Sequence, residues 1–317
     1  MPSPVIAIHG GCGTLAADLQ SAADWAETRA HLAAALRAAW RILAAGGAAL
    51  DAVEAAVVVL EDSPHFNAGH GAALTEDAVH ELDASIMDGA TMAAGAVCTV
   101  RTIRNPVRAA RAVMERSDCV LLAGAAADAF AQAHGLACVG NGYFTTERRV
   151  QALAALKARA ARGTIALASE AERHGTVGAV ALDGDGRLAA ATSTGGFNNK
   201  PAGRVGDTPV IGAGTYARNG VCAVSCTGQG EVFMRRVAAY DVVARMSYAG
   251  QTLRQATDAL VLDMLSSHRI GAGLVAVDAA GNVAMPFNTL GMARGWIAAD
   301  GRLRVATHKD VIDMGGA

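Results

Sequence analysis

In the stretch "ERHGTVGAVALDGDG", residues 171–185, one hydroxyl, that of Thr176, stands between a glycine and a continuous apolar run. Gly175 has no Cβ, so the Gly-Thr peptide can adopt torsions that other residues resist. A strained carbonyl beside a fixed hydroxyl invites an N→O acyl shift. Hydrolysis of the resulting ester would leave a new chain beginning at Thr176. Its free α-amine, titrating at roughly 7.7–8.0 when unperturbed, could act as base for the hydroxyl of its own residue. β-Branching restricts χ1 and holds that hydroxyl better than a serine would. The plainer alternative is a strand-favouring threonine where a strand begins.

The elements that must position Thr176 are legible around it. "TVGAVALD" and "RLAAATS" flank "DGDG", a strong hairpin signal. If Asp183 faces Gly186 across the turn, Thr176 lies opposite Ser193 and beside Thr194, gathering hydroxyls at one end of an apolar hairpin. Upstream, Val5–His9 reads as a buried strand running into the loop "HGGCGT". A helix is expected over 22–45, stopped by Gly46-Gly47, and a second over 49–60. "HELDASIMDG" and "AGAVCTVRTI" read as adjacent strands, and Asn105 with Pro106 opens a helix. Residues 145–173 are Ala- and Arg-rich, broken by Gly163, and are the best linker candidate. Downstream, "CAVSCTG" and "LVAVD-AAGN-VAMPF" read as strands, and "EVFMRRVAAYDVVARMSY" and "TLRQATDALVLDMLSSH" as helices. Strands and helices come in blocks, which favours a layered sandwich over a doubly wound sheet.

Composition limits the function classes. The chain has 317 residues, 52% of them hydrophobic and only 4% aromatic, with a net charge of −2. No electrostatic footprint for nucleic acid or an acidic membrane is visible. The six cysteines form no C-x-x-C pair and read as reduced thiols. There is no basic n-region, no long apolar h-region and no membrane-spanning run, so a cytoplasmic protein is expected. A glycine-rich nucleotide- or phosphate-binding module is the non-enzymatic alternative, prompted by 36 glycines. "HGGCGT" lacks the lysine of a P-loop and the spacing of G-x-G-x-x-G, and binding alone leaves the 175–176 junction unexplained.

"HGTVGAVALD", "TSTGG", "GRVGDTPVIGAGTYA" and "CTGQGE" resemble the plant-type L-asparaginases/isoaspartyl peptidases, which are N-terminal-nucleophile (Ntn) hydrolases. "HGGCGT", "FNAGHGAALTEDAVHELDASIMDG", "RNPVRAAR" and "FNTLGM" extend the resemblance over most of the chain. The resemblance implies an α+β fold, a four-layer αββα Ntn-hydrolase sandwich forming a single domain over 1–317. It implies autocleavage between Gly175 and Thr176 into an α subunit, 1–175, whose linker is about 145–175, and a β subunit, 176–317. Two such pairs would assemble into an (αβ)2 heterotetramer. The implied reaction is hydrolysis of the side-chain amide of L-asparagine and of β-aspartyl (isoaspartyl) dipeptides.

Residue by residue, the resemblance makes Thr176 the nucleophile and Thr194 the threonine that orients it. Thr227 and Gly228 become the oxyanion hole, which needs donors aimed at the carbonyl oxygen as it turns tetrahedral. Gly230 would face the substrate head group through its backbone. Arg204 would fork onto the α-carboxylate and Asp207 accept from the α-ammonium; by themselves, opposite charges three apart could simply pair with each other. No cofactor is required for the chemistry. "LEDSPHFNAGHGA" resembles a stabilisation loop in which the carbonyls of Leu60, Glu61, Ser63, Phe66, Ala68 and His70 hold a sodium ion. His65 and His70, five apart, lack the register of a helical zinc pair. Two positions depart from the usual pattern: Cys12 in the glycine loop, and His70. Relatives of the glycosylasparaginase type carry Asp before the nucleophile, where this chain has Gly175; a threonine-aspartase-type endopeptidase is the other enzymatic alternative.

Overall fold

A computed structural model describes residues 2–13, 21–162 and 175–317. Thirteen strands of these residues form two sheets. They are β1 (Val5–Gly13), β2 (Leu82–Asp88), β3 (Ala94–Val100), β4 (Leu121–Ala123), β5 (Val177–Leu182), β6 (Leu188–Thr194), β7 (Thr215–Arg218), β8 (Cys222–Gly228), β9 (Ala272–Asp278), β10 (Val283–Ala284), β11 (Gly291–Ile297), β12 (Arg302–Ala306) and β13 (Ile312–Gly316). The larger sheet runs β13-β12-β11-β1-β5-β6-β2-β3-β4 and the smaller β10-β9-β8-β7.

The two-residue period of β1 sorts its side chains between two apolar layers. Ile6 and Ile8 pack with Leu32, Leu36, Val53 and Val57 of α1 (Ala22–Ala44) and α2 (Ala49–Glu61). Val5 and Ala7 turn the other way, joining Val180, Leu182, Ala223, Val275 and Val277 between the sheets. A third cluster, with Val224, Phe233, Val242, Leu260 and Leu274, lies on the far side of the smaller sheet. The fold is thus mixed α/β with large sheets and helices. Alanine and glycine make the spacing possible. A Cβ on Gly95 of β3 would collide with the carbonyl oxygen of Ala110 and come within 2.6 Å of the amide nitrogen of Met114. The helix α3 (Pro106–Arg116) therefore sits at backbone contact with β3.

Several expectations need correction. The hairpin register is shifted by one: Val177, not Thr176, pairs with Ser193. Asp183 N–H donates to the carbonyl of Arg187, enclosing three residues with Gly186 at φ +80. This is the longer glycine-bulge loop, not the two-residue turn. The expected linker is partly helix. After α4 (Gly124–Ala133), Glu147–Ala161 forms α5, and buried Arg149 donates from Nε to the carbonyl of Gly71 at 2.6 Å. Residues 163–174 of that linker lie outside the described residues. The single helix expected over 231–248 is divided into α6 (Gly230–Arg236) and α7 (Ala238–Ala249) by Val237 at φ 49, ψ 49. Asn105 does precede α3, but its side chain makes no cap. Instead, Val107 N–H donates to Glu61 Oε1 at 3.0 Å.

Gly95→Ala is expected to destabilise the protein by about 1–3 kcal/mol through overpacking. Urea unfolding measures it; an unchanged midpoint would mean that α3 can retreat freely.

Candidate active site

Thr176 immediately precedes β5 and is buried, as is Thr194 at the end of β6. The one-residue register shift brings their hydroxyls together, 3.2 Å apart. The carbonyl oxygen of Gly175 is surrounded by donors. Thr176 Oγ1 lies 2.7 Å away, Thr194 Oγ1 3.0 Å and Asn67 Nδ2 2.9 Å. Asn67 also donates to the carbonyl of Gly196 at 2.6 Å, and its Oδ1 accepts from Ala73 N–H at 2.6 Å. Its amide orientation is therefore fixed by both ends.

The glycine loop reaches the same peptide from the other side. At Gly11, φ +104, a Cβ would stand 3.2 Å from the Gly175 Cα and 3.2 Å from the Thr176 nitrogen. Next to it, Cys12 N–H donates to Thr227 Oγ1 at 3.4 Å, and Cys12 Sγ faces the Thr227 carbonyl at 3.4 Å. Gly11 and Cys12 together thus link the 175–176 junction to the end of β8, where Gly228 has φ +150. His9 of β1 bonds the carbonyl of Thr176 through Nδ1 at 3.0 Å. Burial pushes its pKa down to about 3, partly opposed by that carbonyl, so the ring is neutral.

Arg204 and Asp207 follow β6 in a loop that passes Gly196, where a Cβ would stand 3.4 Å from Arg204 Nη1. They do not pair as their spacing allowed. Arg204 binds Glu231 Oε1 through Nε at 2.9 Å and Nη2 at 2.8 Å, and its guanidinium covers the ring of Phe197 at 4.7 Å. Asp207 is buried, its Oδ2 has no hydrogen-bond partner, and burial raises its pKa to about 7. Gly230 lies over both: a Cβ there would be 2.8 Å from Asp207 Oδ1 and 3.0 Å from Arg204 Nη2. A buried carboxylate oxygen without a partner among the described residues and a guanidinium paired with Glu231 thus both lie against Gly230.

Other ionisable groups are buried as well. Lys200 Nζ donates to the carbonyl of Glu81 at 2.8 Å, and burial lowers its pKa. Asp83, paired with Thr194 across the sheet, is raised by burial. Glu61 accepts from Ser193 Oγ at 2.7 Å on the outer face of β6, and burial pushes its pKa up to about 8.

The stabilisation loop offers a carbonyl cradle. A Cβ at Gly71, φ +102, would stand 2.8 Å from the carbonyl oxygens of both Pro64 and Phe66. Glu61 O accepts from His70 N–H at 2.7 Å and keeps a second lone pair, whereas Leu60 O already accepts from the N–H groups of both Ser63 and Asp62. Neutral oxygen donors of this kind fit a hard cation such as sodium, not zinc. His70 stacks edge-on against Tyr143, whereas His65 turns to Glu27 at 3.3 Å. No group of His, Cys, Asp or Glu among the described residues could hold a metal ion, and no helix among them is long and apolar enough to cross a membrane. All six cysteines are free thiols.

The sequence model of the asparaginase family matches residues 2–307. The chain belongs to the asparaginase family. Among curated relatives, the isoaspartyl peptidase of Escherichia coli K12 is 49% identical over 301 residues, covering 93% of this chain and 93% of that protein. The isoaspartyl peptidase of Salmonella typhimurium is 50% identical over 302 residues, covering 93% and 96%. The isoaspartyl peptidase/L-asparaginase of Xenopus laevis is 42% identical over 311 residues, covering 96% and 95%. This asparaginase-family chain brings the sequence-nominated Thr176 and Thr194 into contact, and Gly230 against Arg204 and Asp207. His9, Asn67, Ser225 and Glu231 went unnoticed; Asn67 and Glu231 stood inside quoted motifs, and His9 opens "HGGCGT".

Asp207 is expected to be half-protonated near pH 7 in the free protein. A carboxyl-carbon NMR titration, with the signal assigned by Asp207→Asn, checks this; a midpoint near 4 would show the carboxylate to be solvated or paired.

Proposed function

We propose that this protein hydrolyses the side-chain amide of L-asparagine and β-aspartyl dipeptides, using an N-terminal threonine that it generates by cutting itself between Gly175 and Thr176. The observation that carries the reading is the placement of Thr176 Oγ1 at 2.7 Å from the Gly175 carbonyl oxygen, with Asn67 and Thr194 donating to the same oxygen. In the first step Oγ1 attacks the Gly175 carbonyl carbon. The negative charge that develops on oxygen is met by the Asn67 and Thr194 donors. The C–N bond breaks, the nitrogen takes the proton, and an ester joins Gly175 to Thr176. Water then releases a Gly175 carboxylate and a free Thr176 amine.

In the second reaction that amine takes the proton of Oγ1 as it attacks the substrate amide. Thr227 and the N–H of Gly228 receive the oxyanion. Ammonia or the second residue of the dipeptide leaves with the proton, and water hydrolyses the β-aspartyl ester to aspartate. Arg204 takes the α-carboxylate and Asp207 the α-ammonium, with Gly230 leaving them room. The names of the relatives support the substrate class, and Gly175 argues for this chemistry over the glycosylasparaginase type. The three apolar layers support a four-layer αββα Ntn-hydrolase sandwich, one domain cut into 1–175 and 176–317 and assembled as (αβ)2. The carbonyls of Leu60, Glu61, Ser63, Phe66, Ala68 and His70 are the proposed holders of a structural sodium ion, which would stiffen the loop bearing Asn67; the chemistry itself needs no cofactor.

Intact-mass measurement should give two chains, the second beginning at Thr176. Thr176→Ala should remain a single chain with amidase activity lowered at least roughly 10³-fold. Normal division of that variant would overturn the assignment. Binding of L-aspartate to the mature protein, followed by calorimetry, should weaken as pH falls through about 7, because the Asp207 carboxylate that receives the ammonium becomes protonated. Affinity that is flat from pH 8 to 5 would remove Asp207 from the head-group site.

A further inference from the structure

A continuous line of polar contacts runs through the apolar layer between the two sheets. It begins at the carbonyl of Thr176, 3.0 Å from His9 Nδ1, and continues from His9 Nε2 to Ser225 Oγ at 2.9 Å. Ser225 meets Thr192 at 2.7 Å, Thr192 meets Thr215 at 2.5 Å, and Thr215 meets Ser85 at 2.8 Å. Ser85 then reaches the carbonyl of Thr208, the neighbour of Asp207, at 2.6 Å. His9, Ser225, Thr192, Thr215 and Ser85 come from β1, β8, β6, β7 and β2, and all are 0% exposed. Five strands thus each bury a polar group whose satisfaction depends on the next one. The smaller residue at position 178 belongs to the same device. A Cβ on Gly178 would occupy the space of Ser225 Oγ and stand 2.5 Å from His9 Nε2.

The contact of His9 with the Thr176 carbonyl sets the direction of the line. Both ends are carbonyls, which only accept. To serve Thr176, His9 must carry its proton on Nδ1, and a neutral ring then presents Nε2 as an acceptor. Ser225 therefore donates to His9, Thr192 to Ser225, and Thr215 to Thr192. Ser85, last in line, has one proton for the two acceptors Thr215 Oγ1 and Thr208 O. Reversing the line would put the lone pair of Nδ1 against the Thr176 carbonyl.

We propose that His9 is a positioning residue for the nucleophile: the Ser85–Thr215–Thr192–Ser225 line locks its imidazole as the Nδ1–H tautomer, which holds the Thr176 carbonyl once the 175–176 bond is gone. The inference rests on the reaction proposed above. An N-terminal residue has lost one of its two backbone tethers. The bond from His9 fixes the peptide plane from which the Thr176 amine and hydroxyl both project. Burial of the ring keeps it neutral, so the hold does not change across the working pH range.

His9→Asn and His9→Gln separate the two ends of the ring, because an asparagine amide reaches about where Nδ1 lies and a glutamine amide about where Nε2 lies. With a β-aspartyl dipeptide, mature His9→Gln should lose roughly tenfold to a hundredfold in kcat, the scale of a small misplacement of a reacting group, with KM nearly unchanged. His9→Asn should recover most of the loss, and both should melt close to the parent. Spectra of ¹⁵N-histidine-labelled protein should show His9 as Nδ1–H, including in undivided Thr176→Ala, and should show a mixed tautomer in Ser225→Ala. Equal kcat in the two His9 variants, losses that track melting, or an Nε2–H signal in the parent would overturn the role of His9. A parent that neither divides nor releases ammonia would overturn the proposed reaction, and the positioning role with it; the tautomer is read in either case.

Discussion

Backbone meets backbone around the peptide joining Gly175 to Thr176, and the rest of the site depends on that closeness. Gly11 approaches it from β1, Asn67 from the loop after α2, and Thr194 from the end of β6. A Cβ on Gly175 would stand 2.9 Å from Asn67 Cβ, and one on Gly195 would stand 2.6 Å from the Ala73 nitrogen. The three donors converge on one carbonyl oxygen because no side chain keeps these segments apart. Hydrogen bonds at such a partly buried junction are exacting, because each donor has few alternatives.

The charged cluster around Arg204 and Asp207 follows a different logic. Buried charge is costly unless it is paired, and this chain buries several charges near one another. Arg204 is satisfied by Glu231 and by the face of Phe197, Lys200 by the Glu81 carbonyl. Asp207 is left with an oxygen that nothing in the described residues satisfies. Such an oxygen favours protonation in the free protein and a cationic partner in a complex. Electrostatic deficit at that oxygen is what an amino-acid head group would relieve.

Much of this was legible in the sequence where local pattern carries it. Thr176, Thr194, Thr227 and Gly228 sit at strand ends marked by glycine, Gly230 opens α6, and the helices and inner strands follow apolar periodicity. Partners distant in the chain left no such mark. His9 meets Thr176 across 167 positions, and Asn67 meets Gly175 across 108. Arg204 lies three residues from Asp207, yet its ion-pair partner is Glu231, 27 positions on. "DGDG" is compatible with two-residue and three-residue turns, and only the Asp183–Arg187 closure decides between them. Val237 holds a left-handed conformation that a β-branched residue rarely adopts, so composition could not announce the break between α6 and α7. Residues 147–161 resembled a tether, yet Arg149 and Leu153 are buried, and tertiary packing makes them a helix.

The tip of the central hairpin lies about 20 Å from the threonines, at roughly 3.3 Å per strand residue. It nevertheless sets which face of β6 they meet. A register slipped by one residue would bring Ser193 opposite Thr176, and Ser193 points outward to Glu61. Gly186, at φ +80, and the Asp183 carboxylate, which accepts from the N–H groups of Asp185 and Arg187, hold the turn in the form that keeps this register. The loop acts as a register gauge for two threonines that it never touches.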